Sequence, residues 1–303
     1  MVGVAVAQFA PGMDKQANLR RAVELVRAAV DQGARLVVLP EYAMFTAPAT
    51  DHRFVAAAEP LDGRYVSGLR DLARDCGVYL VAGVNEAVDD PERFANTTVA
   101  VGPDGALLVC YRKLHLYDAF GFTESAVVRP GEITDPAVFT VDGLTFGVQT
   151  CYDLRFPEVT RRLADAGAHA VVLGAEWVPG PEKKEHWKLL VRARAVENTL
   201  YVAAAGQTAP MGSGHSMVAD PMGVVVASLA DDEGVAVAAV DPARVAEVRA
   251  LNGAGASAFH RGAEIPRVIP PPGALPFFTP KIAVCNSGFD YSELTTLSSR
   301  SQF

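Results

Sequence analysis

Two short runs made only of apolar residues, at positions 36–39 and 170–173, constrain the fold most strongly. The first reads Leu-Val-Val-Leu and the second Ala-Val-Val-Leu, and each lies between segments whose apolar residues recur at helical spacing. Strands that are apolar on both faces are typical of sheets that helices cover. The chain is therefore predicted to have an α/β fold in which buried strands alternate with covering helices.

The two runs belong to two similar halves of the chain. In each half a strand–helix–strand pattern is followed by a hairpin, with turns at residues 102–105 and 220–223. Two helix-covered sheets packed face to face give a four-layer αββα sandwich, which is the predicted fold. An ordinary doubly wound α/β domain fits the same pattern and is the alternative. The predicted helices are at residues 65–76, 157–166, 183–198 and 242–251, after a first helix that Asp14 caps and Gly33 ends.

The character of the sequence changes after about Asn252. Residues 265–272 read Ile-Pro-Arg-Val-Ile-Pro-Pro-Pro, and no helical or strand periodicity comes after them. A proline-rich segment favours an extended chain over a packed element, so residues 253–303 are predicted to form an irregular C-terminal tail. Residues 1–252 are predicted to form a single domain.

Composition excludes several classes of function. The formal net charge of the 303 residues is −8 and there is no basic run, so a nucleic-acid-binding surface is not expected. No apolar run approaches the roughly 20 residues of a membrane span, and the N-terminus lacks the basic segment of a secretory signal. The histidines show no metal-binding spacing, so no metal is expected. Dispersed cysteines predict a reduced, cytoplasmic protein; they are Cys76, Cys110, Cys151 and Cys285.

Three polar residues closely follow predicted strands and are candidates for chemistry. Glu41 follows the apolar run of the first half, Lys113 follows the first hairpin, and Cys151 follows the run 144–150. The carboxyl ends of strands are where α/β sheets form their ligand sites. Each residue alone has an ordinary interpretation, as a surface carboxylate, a solvated lysine or a small core thiol. Their combination is far less common and indicates a catalytic site.

The motifs around these residues resemble those of the nitrilase superfamily of carbon–nitrogen hydrolases. They occur in order along the predicted domain, which makes the resemblance specific. The stretch after the cysteine is most similar to the branch of omega-amidases and deaminated glutathione amidases. The matching stretches are Val-Leu-Pro-Glu at 38–41, Tyr-Arg-Lys-Leu-His-Leu-Tyr-Asp at 111–118, Glu-Ser at 124–125 with Pro-Gly at 130–131, Cys-Tyr-Asp-Leu-Arg-Phe-Pro-Glu at 151–158, Ala-Arg-Ala-Val-Glu-Asn at 193–198 and Gly-His-Ser at 214–216.

The resemblance implies an αββα sandwich, a homodimer or larger homo-oligomer, and a Glu–Lys–Cys catalytic triad. By position in the motifs, the triad corresponds to Glu41, Lys113 and Cys151, and a further family glutamate corresponds to Glu124. The implied reaction is hydrolysis of a small non-peptide amide by water to an acid and ammonia, without a cofactor or a metal. A nitrilase or an N-carbamoyl-amino-acid hydrolase with the same triad is an alternative, as is a non-catalytic binding protein on this fold.

These residue types suit the implied chemistry. An amide carbon is a poor electrophile, so a thiolate of Cys151 that forms a thioester helps the reaction. Glu41 is expected to take the thiol proton and pass it to the departing amine. Lys113 and the backbone N–H of Tyr152 are expected to bind the oxyanion of the tetrahedral intermediate. Glu124 either keeps Lys113 charged or orients the amide, and a plain salt bridge is an equally open interpretation.

Three further residues are predicted to bind substrate, namely Tyr152, Arg155 and Trp177. Arg155 is expected to anchor a carboxylate at the far end of the amide, because a guanidinium group binds a carboxylate through two parallel hydrogen bonds. Pairing of Arg155 with a scaffold carboxylate is the alternative. A papain-like pairing of Cys151 with His115 is the weaker interpretation, because its apolar neighbours give His115 the character of a packed residue.

Overall fold

The computed structural model describes residues 1–252, and the predicted tail at 253–303 lies outside the described residues. The strands of the described part are β1 (Val2–Gln8), β2 (Leu36–Val38), β3 (Tyr79–Ala87), β4 (Phe94–Val101), β5 (Leu107–Arg112), β6 (Val138–Val141), β7 (Leu144–Thr150), β8 (Ala170–Ala175), β9 (Tyr201–Gly206), β10 (Met217–Ala219), β11 (Val225–Ser228) and β12 (Gly234–Val240). Its α-helices are α1 (Lys15–Asp31), α2 (His52–Ala57), α3 (Arg64–Cys76), α4 (Pro157–Asp165), α5 (Lys183–Asn198) and α6 (Pro242–Leu251).

The strands form two six-stranded sheets with the same topology. The first sheet has the order β12-β1-β2-β3-β4-β5 and the second the order β6-β7-β8-β9-β10-β11. The strands β1, β2 and β3 run parallel, as do β7, β8 and β9, whereas their outer neighbours pair antiparallel. The order of pairing is therefore repeated from one half to the other, so that β2 corresponds to β8 and β5 to β11.

Alternation along the strands divides the core into layers. In β1, Val4 and Val6 pack against side chains of the second sheet such as Val172. Ala5 and Ala7 point the other way, into a cluster with the apolar faces of α1 and α3. A third cluster lies between the second sheet and helices α4 and α5. Successive side chains of a strand point to opposite faces, so this alternation produces the helix–sheet–sheet–helix order and confirms the predicted αββα sandwich.

The boundaries follow local sequence signals. The carboxylate of Asp14 accepts hydrogen bonds from the N–H groups of Gln16 and Ala17, as expected for the cap of α1. Four elements were not predicted, namely α2, β6 and the 3-10 turns at Glu124–Ala126 and Cys151–Arg155. Each has six residues or fewer, which is too short for apolar periodicity to indicate it. Among residues 1–252, no helix is both long and apolar enough to cross a membrane.

Two glycines, one in each sheet, allow close packing against the backbone segment that follows β2. A Cβ atom at Gly83 in β3 would lie 2.6 Å from the Cα of Glu41, and one at Gly174 in β8 would lie 2.8 Å from the Glu41 backbone nitrogen. Any larger residue at either position would displace that backbone, because glycine is what allows such a close approach. The position of Glu41 is thus fixed by one glycine from each sheet.

Candidate active site

The predicted catalytic residues meet around one cavity of about 400 Å³. Cys151 follows β7 directly, Lys113 follows β5, and Glu41 lies three residues beyond the end of β2. Glu124 begins the 3-10 turn at Glu124–Ala126 and reaches the same cavity. Because these strand ends point toward one edge of the sandwich, residues distant in sequence become neighbours.

Lys113 lies between two carboxylates. Its Nζ is 2.9 Å from Oε1 of Glu41 and 2.8 Å from Oε2 of Glu124. The lysine side chain is 2 % exposed, so all three charges are removed from water. A buried charge is tolerated only when opposite charges and hydrogen bonds compensate for its lost hydration, which these two carboxylates do.

The two carboxylates are held by further hydrogen bonds. The backbone N–H of Glu176 donates to Oε2 of Glu41 over 2.6 Å, and the amide of Asn96 donates to Oε1 over 2.8 Å. Glu124 accepts a hydrogen bond from the hydroxyl of Tyr42 at 2.7 Å. These donors fix the orientation of both carboxylates before any substrate binds.

The electrostatics of the cluster favour charged forms of Lys113 and Glu124. Burial opposes the positive charge of Lys113, but Glu124 and Glu41 outweigh it and hold the pKa of the lysine well above its ordinary value. Burial also opposes the charge of Glu124, and the ion pair with Lys113 reverses this and lowers the pKa of the carboxyl group. Lys113 is therefore an ammonium group in the resting site.

Cys151 presents its thiol from a sharp turn. Its φ angle is 44°, in the left-handed region that non-glycine residues rarely adopt. Burial, followed by the charge of Glu41, raises the pKa of the thiol well above its ordinary value, while Lys113 acts in the opposite direction. The sulfur thus rests as a neutral thiol, and it donates a 3.7 Å hydrogen bond to the backbone carbonyl oxygen of Glu176.

A buried aspartate holds the turn that carries Cys151. Asp153 is fully buried and accepts hydrogen bonds from the backbone N–H of Thr150 and from the hydroxyl of Tyr111. The Nδ1 atom of His115 lies 2.8 Å from Oδ1 of Asp153. The ring of His115 therefore helps to hold the turn at Cys151, because it contacts the aspartate that fixes this turn.

The predicted substrate-binding residues differ in their position. Tyr152 and Trp177 line the cavity, but Arg155 is not among its lining residues. The guanidinium carbon of Arg155 lies 5.1 Å from the centre of a Trp177 ring, and its Nη2 lies 3.3 Å from Nδ1 of His186. The role of Arg155 as a carboxylate anchor stays a prediction, as does the oxyanion contact of the Tyr152 backbone N–H.

Two charged residues that line the cavity were not singled out from the sequence, Glu176 and Lys183. Glu176 follows β8 directly, just as Glu41 comes shortly after β2, so the same strand-end criterion would have found it. Burial, and then the charges of Glu41 and Glu124, raise the pKa of Glu176 well above its ordinary value. Lys183 lies in the stretch 177–185, which the sequence predicts to line the pocket, but the pattern marks the residue itself only as the start of a helix.

The assembled groups provide a buried thiol, a carboxylate on the same cavity and an ammonium group. Such a set suits acyl transfer, in which a proton leaves the nucleophile while negative charge develops on a carbonyl oxygen. Within the described part of the chain, no group of three or more histidine, cysteine or acidic residues could hold a metal ion.

Comparisons with known proteins identify the family of this chain. The model of the carbon-nitrogen hydrolase family matches residues 3–250. The deaminated glutathione amidase of Escherichia coli O157:H7 is 36% identical over 247 residues, covering 82% of this chain and 93% of that protein. An omega-amidase of Xenopus laevis is 35% identical over 258 residues, covering 81% of this chain and 91% of that protein.

A solved structure extends the comparison to the fold. A mutant of an amidase from Nesterenkonia, bearing the acetamide moiety of fluoroacetamide on its active-site cysteine, matches with a TM-score of 0.69. It is 27% identical in sequence, and the match covers 83% of this chain and 94% of that one.

Proposed function

Since the chain belongs to the carbon–nitrogen hydrolase family of the nitrilase superfamily, we propose that it hydrolyses a small non-peptide amide through a thioester on Cys151. One observation carries this proposal. The buried ammonium of Lys113, 2.9 Å from Glu41, lines the same cavity as the buried thiol of Cys151. The active-site cysteine of the Nesterenkonia amidase carries a covalent acetamide group, which supports the same role for Cys151 here.

The first step is attack of the Cys151 sulfur on the amide carbon. The thiol proton moves to the carboxylate of Glu41 as the carbon–sulfur bond forms. The raised pKa of the thiol supports this sequence, because a neutral thiol needs a base at the moment of attack. Glu41 and Cys151 line the same cavity, and the carboxylate is close enough to act on the thiol electrostatically, which supports Glu41 as that base.

Lys113 stabilises the oxyanion that develops on the carbonyl oxygen. Its raised pKa keeps it charged, and its two carboxylate partners fix its position in advance. Glu41 then returns the proton to the amide nitrogen, the carbon–nitrogen bond breaks, and ammonia leaves. Glu124 accepts hydrogen bonds from Lys113 throughout, so it acts as a positioning residue for the lysine.

Water completes the cycle. Glu41 accepts a proton from the water that attacks the thioester carbon, and the sulfur leaves as a thiolate that recovers its proton from Glu41. The products are a carboxylic acid and ammonia, with the enzyme returned to its starting state. Neither step requires a redox change or a further co-reactant.

The proposed substrate is the omega-amide of a small carboxylic acid. The names of the relatives, an omega-amidase and a deaminated glutathione amidase, support this class over nitriles and carbamoyl amino acids. A cavity of about 400 Å³ suits a small molecule. We further propose that the protein is cytoplasmic and forms a homodimer. Light scattering tests the assembly, and an active monomer near 32.1 kDa would contradict it.

The test combines a substrate screen with a nucleophile variant. Purified protein is incubated with omega-amides, short aliphatic amides, nitriles and N-carbamoyl amino acids, and ammonia is measured. Cys151→Ala should abolish release, and intact-mass spectrometry of the wild type under turnover should find an acyl group on Cys151. Cys110→Ala, which removes an exposed thiol, is the matched control, and His115→Ala should cost far less than Cys151→Ala. Ammonia release by Cys151→Ala at the wild-type rate would refute the mechanism.

A further inference from the structure

The cavity contains a second lysine, in an aromatic environment. Lys183 is the first residue of α5 and is 6 % exposed. Its Nζ lies 4.8 Å from the ring centre of Tyr117, 5.0 Å from that of Trp177 and 5.1 Å from that of Phe120. An ammonium group over aromatic faces is stabilised by the ring quadrupoles, and this partly compensates for its lost hydration.

Lys183 lacks the counter-ions that Lys113 has. The hydroxyl of Tyr117 accepts a hydrogen bond from Nζ at 2.9 Å. No carboxylate of residues 1–252 lies within ion-pair distance of this ammonium, whereas Lys113 has two. An ammonium group has three N–H donors, so Lys183 keeps donors for a further partner. Buried charges in proteins are normally paired, which makes an anionic ligand the partner that this site fits.

The ammonium also shares the cavity with the reacting groups. Lys183 and Cys151 both line it, and they are close enough to act on each other electrostatically. Arg155, the anchor expected from the sequence, lies outside the lining and contacts His186 instead. Of Arg155 and Lys183, only Lys183 lines the cavity in which a ligand with its amide carbon at the thiol would lie.

The backbone of Lys183 is fixed by the cavity wall. The indole N–H of Trp177 donates a 2.8 Å hydrogen bond to its carbonyl oxygen. The preceding residue, Glu182, has a left-handed φ of 57°, so the chain turns sharply into α5 at this point. A side chain whose backbone and aromatic neighbours are both fixed is preorganised, which reduces the entropy lost on binding.

We propose that Lys183 binds the carboxylate at the far end of the substrate and so selects omega-amides of carboxylic acids over neutral amides. This proposal rests on the amidase function proposed above. The bound carboxylate provides the counter-ion that the aromatic wall lacks, and the ion pair orients the amide group toward Cys151. Burial lowers the pKa of Lys183, and a carboxylate bound beside the ammonium would raise it.

The experiment compares two substrates of similar size. Succinamate carries the carboxylate and butanamide does not. Lys183→Met should lower kcat/KM for succinamate by about 30-fold or more, mainly through KM, and change that for butanamide by less than about threefold. Lys183→Arg should restore part of the loss because it keeps the charge. Lys184→Met is the matched control, since Lys184 pairs with Asp231 on the surface.

A binding measurement separates this proposal from the amidase proposal. Calorimetry with Cys151→Ala should detect succinamate binding that the Cys151→Ala/Lys183→Met double variant has lost. If the wild type hydrolyses no amide at all, the amidase proposal fails, while calorimetry still decides the role of Lys183. Equal losses of Lys183→Met on both substrates, or unchanged succinamate binding, would overturn the Lys183 proposal. A selective succinamate loss in Arg155→Lys with none in Lys183→Met would assign the anchor to Arg155 and overturn it too.

Discussion

The two halves of the molecule have the same strand order but differ in the residues found at the strand ends. Both central strands lead to a buried glutamate, Glu41 after β2 and Glu176 after β8. The first half supplies Lys113 after β5, whereas the chain after β11 continues with Leu229. The second half supplies Cys151 after β7, whereas the chain after β1 continues with the buried Phe9.

This difference gives the two glutamates different partners. Glu41 has an ammonium group at 2.9 Å, but the nearest hydrogen-bond donor to the Glu176 carboxyl group is the amide of Gln207 at 3.4 Å. Burial, and then the charges of Glu41 and Glu124, raise the pKa of Glu176 well above its ordinary value and favour its protonated form, and the effect of Lys113 is too small to reverse this. Equivalent positions in a repeated fold can therefore hold one paired carboxylate and one neutral acid, because the neighbouring strand ends decide the environment.

The largest expected effect tests this difference directly. Glu41→Gln removes the base and should lower kcat by about 10²–10⁴-fold, the usual range for general acid–base catalysis. Glu176→Gln replaces a neutral acid by a neutral amide of the same shape and should change kcat by less than about fivefold, well below that range. Steady-state kinetics on one amide substrate measures both. Similar losses in the two variants would remove the distinction between the two halves.

Removing the shared cation should have the next largest effect. Lys113→Met loses the oxyanion donor and should lower kcat by about 10²–10³-fold. It also leaves Glu41 and Glu124 buried without a counter-ion, so the urea midpoint of unfolding should fall. Lys188→Met is the control, because Lys188 forms an exposed pair with Glu185. A variant with unchanged kcat and midpoint would show that the buried ion pairs are dispensable.

A smaller effect on kcat is expected when the contact between Gly174 of the second half and Glu41 of the first half is changed. Gly174→Ala adds a Cβ atom 2.8 Å from the backbone nitrogen of Glu41 and should displace the base. A displacement of this kind should lower kcat by about 10- to 100-fold with the circular dichroism spectrum retained. Gly12→Ala is the matched control, because a Cβ atom there would meet nothing within 4 Å. Equal activity of the two variants would contradict the conclusion that Gly174 fixes the position of Glu41.

The smallest effect is a pH dependence of stability. The folded state raises the pKa of Glu176 above its ordinary value of 4.5, so above that pH the unfolded chain ionises first and stability falls as pH rises toward the folded pKa. Glu176→Gln lacks this titration, so its stability relative to wild type should increase with pH above 4.5. The slope should not exceed about 1.4 kcal/mol per pH unit. Urea unfolding across the pH range tests this, and a flat difference would argue against a neutral Glu176.

Much of this fold could be predicted because its long elements carry periodic signals. The helix at 183–198 was predicted with both ends correct, and the strand at 144–150 likewise, since apolar spacing and strand-end residues mark them. The strand β6 has four residues and was missed, because a pattern that short does not distinguish a strand from a loop.

Residues of the candidate site could be predicted only where they lie in a recognisable sequence motif. The pairing of Asn96 with Glu41 and Glu124 had no signal, since Asn96 lies in a buried strand whose side-chain direction depends on register. The side chain of Lys183 enters the cavity because of the left-handed turn at Glu182, and loop conformation of this kind is not encoded by residue spacing. Glu176 was missed although a signal existed, because it follows β8 as Glu41 follows β2 in the other half.

The glycine contacts at Glu41 make the rate of catalysis depend on how the two sheets pack against each other. Gly83 belongs to one sheet and Gly174 to the other, and the general base is aligned only while both backbones press against it. A slight slip of one sheet over the other leaves every strand hydrogen bond intact but moves this carboxylate away from the thiol. Enzyme activity should therefore disappear at lower denaturant concentrations than secondary structure, and would detect a loosened sandwich that spectroscopy still records as folded.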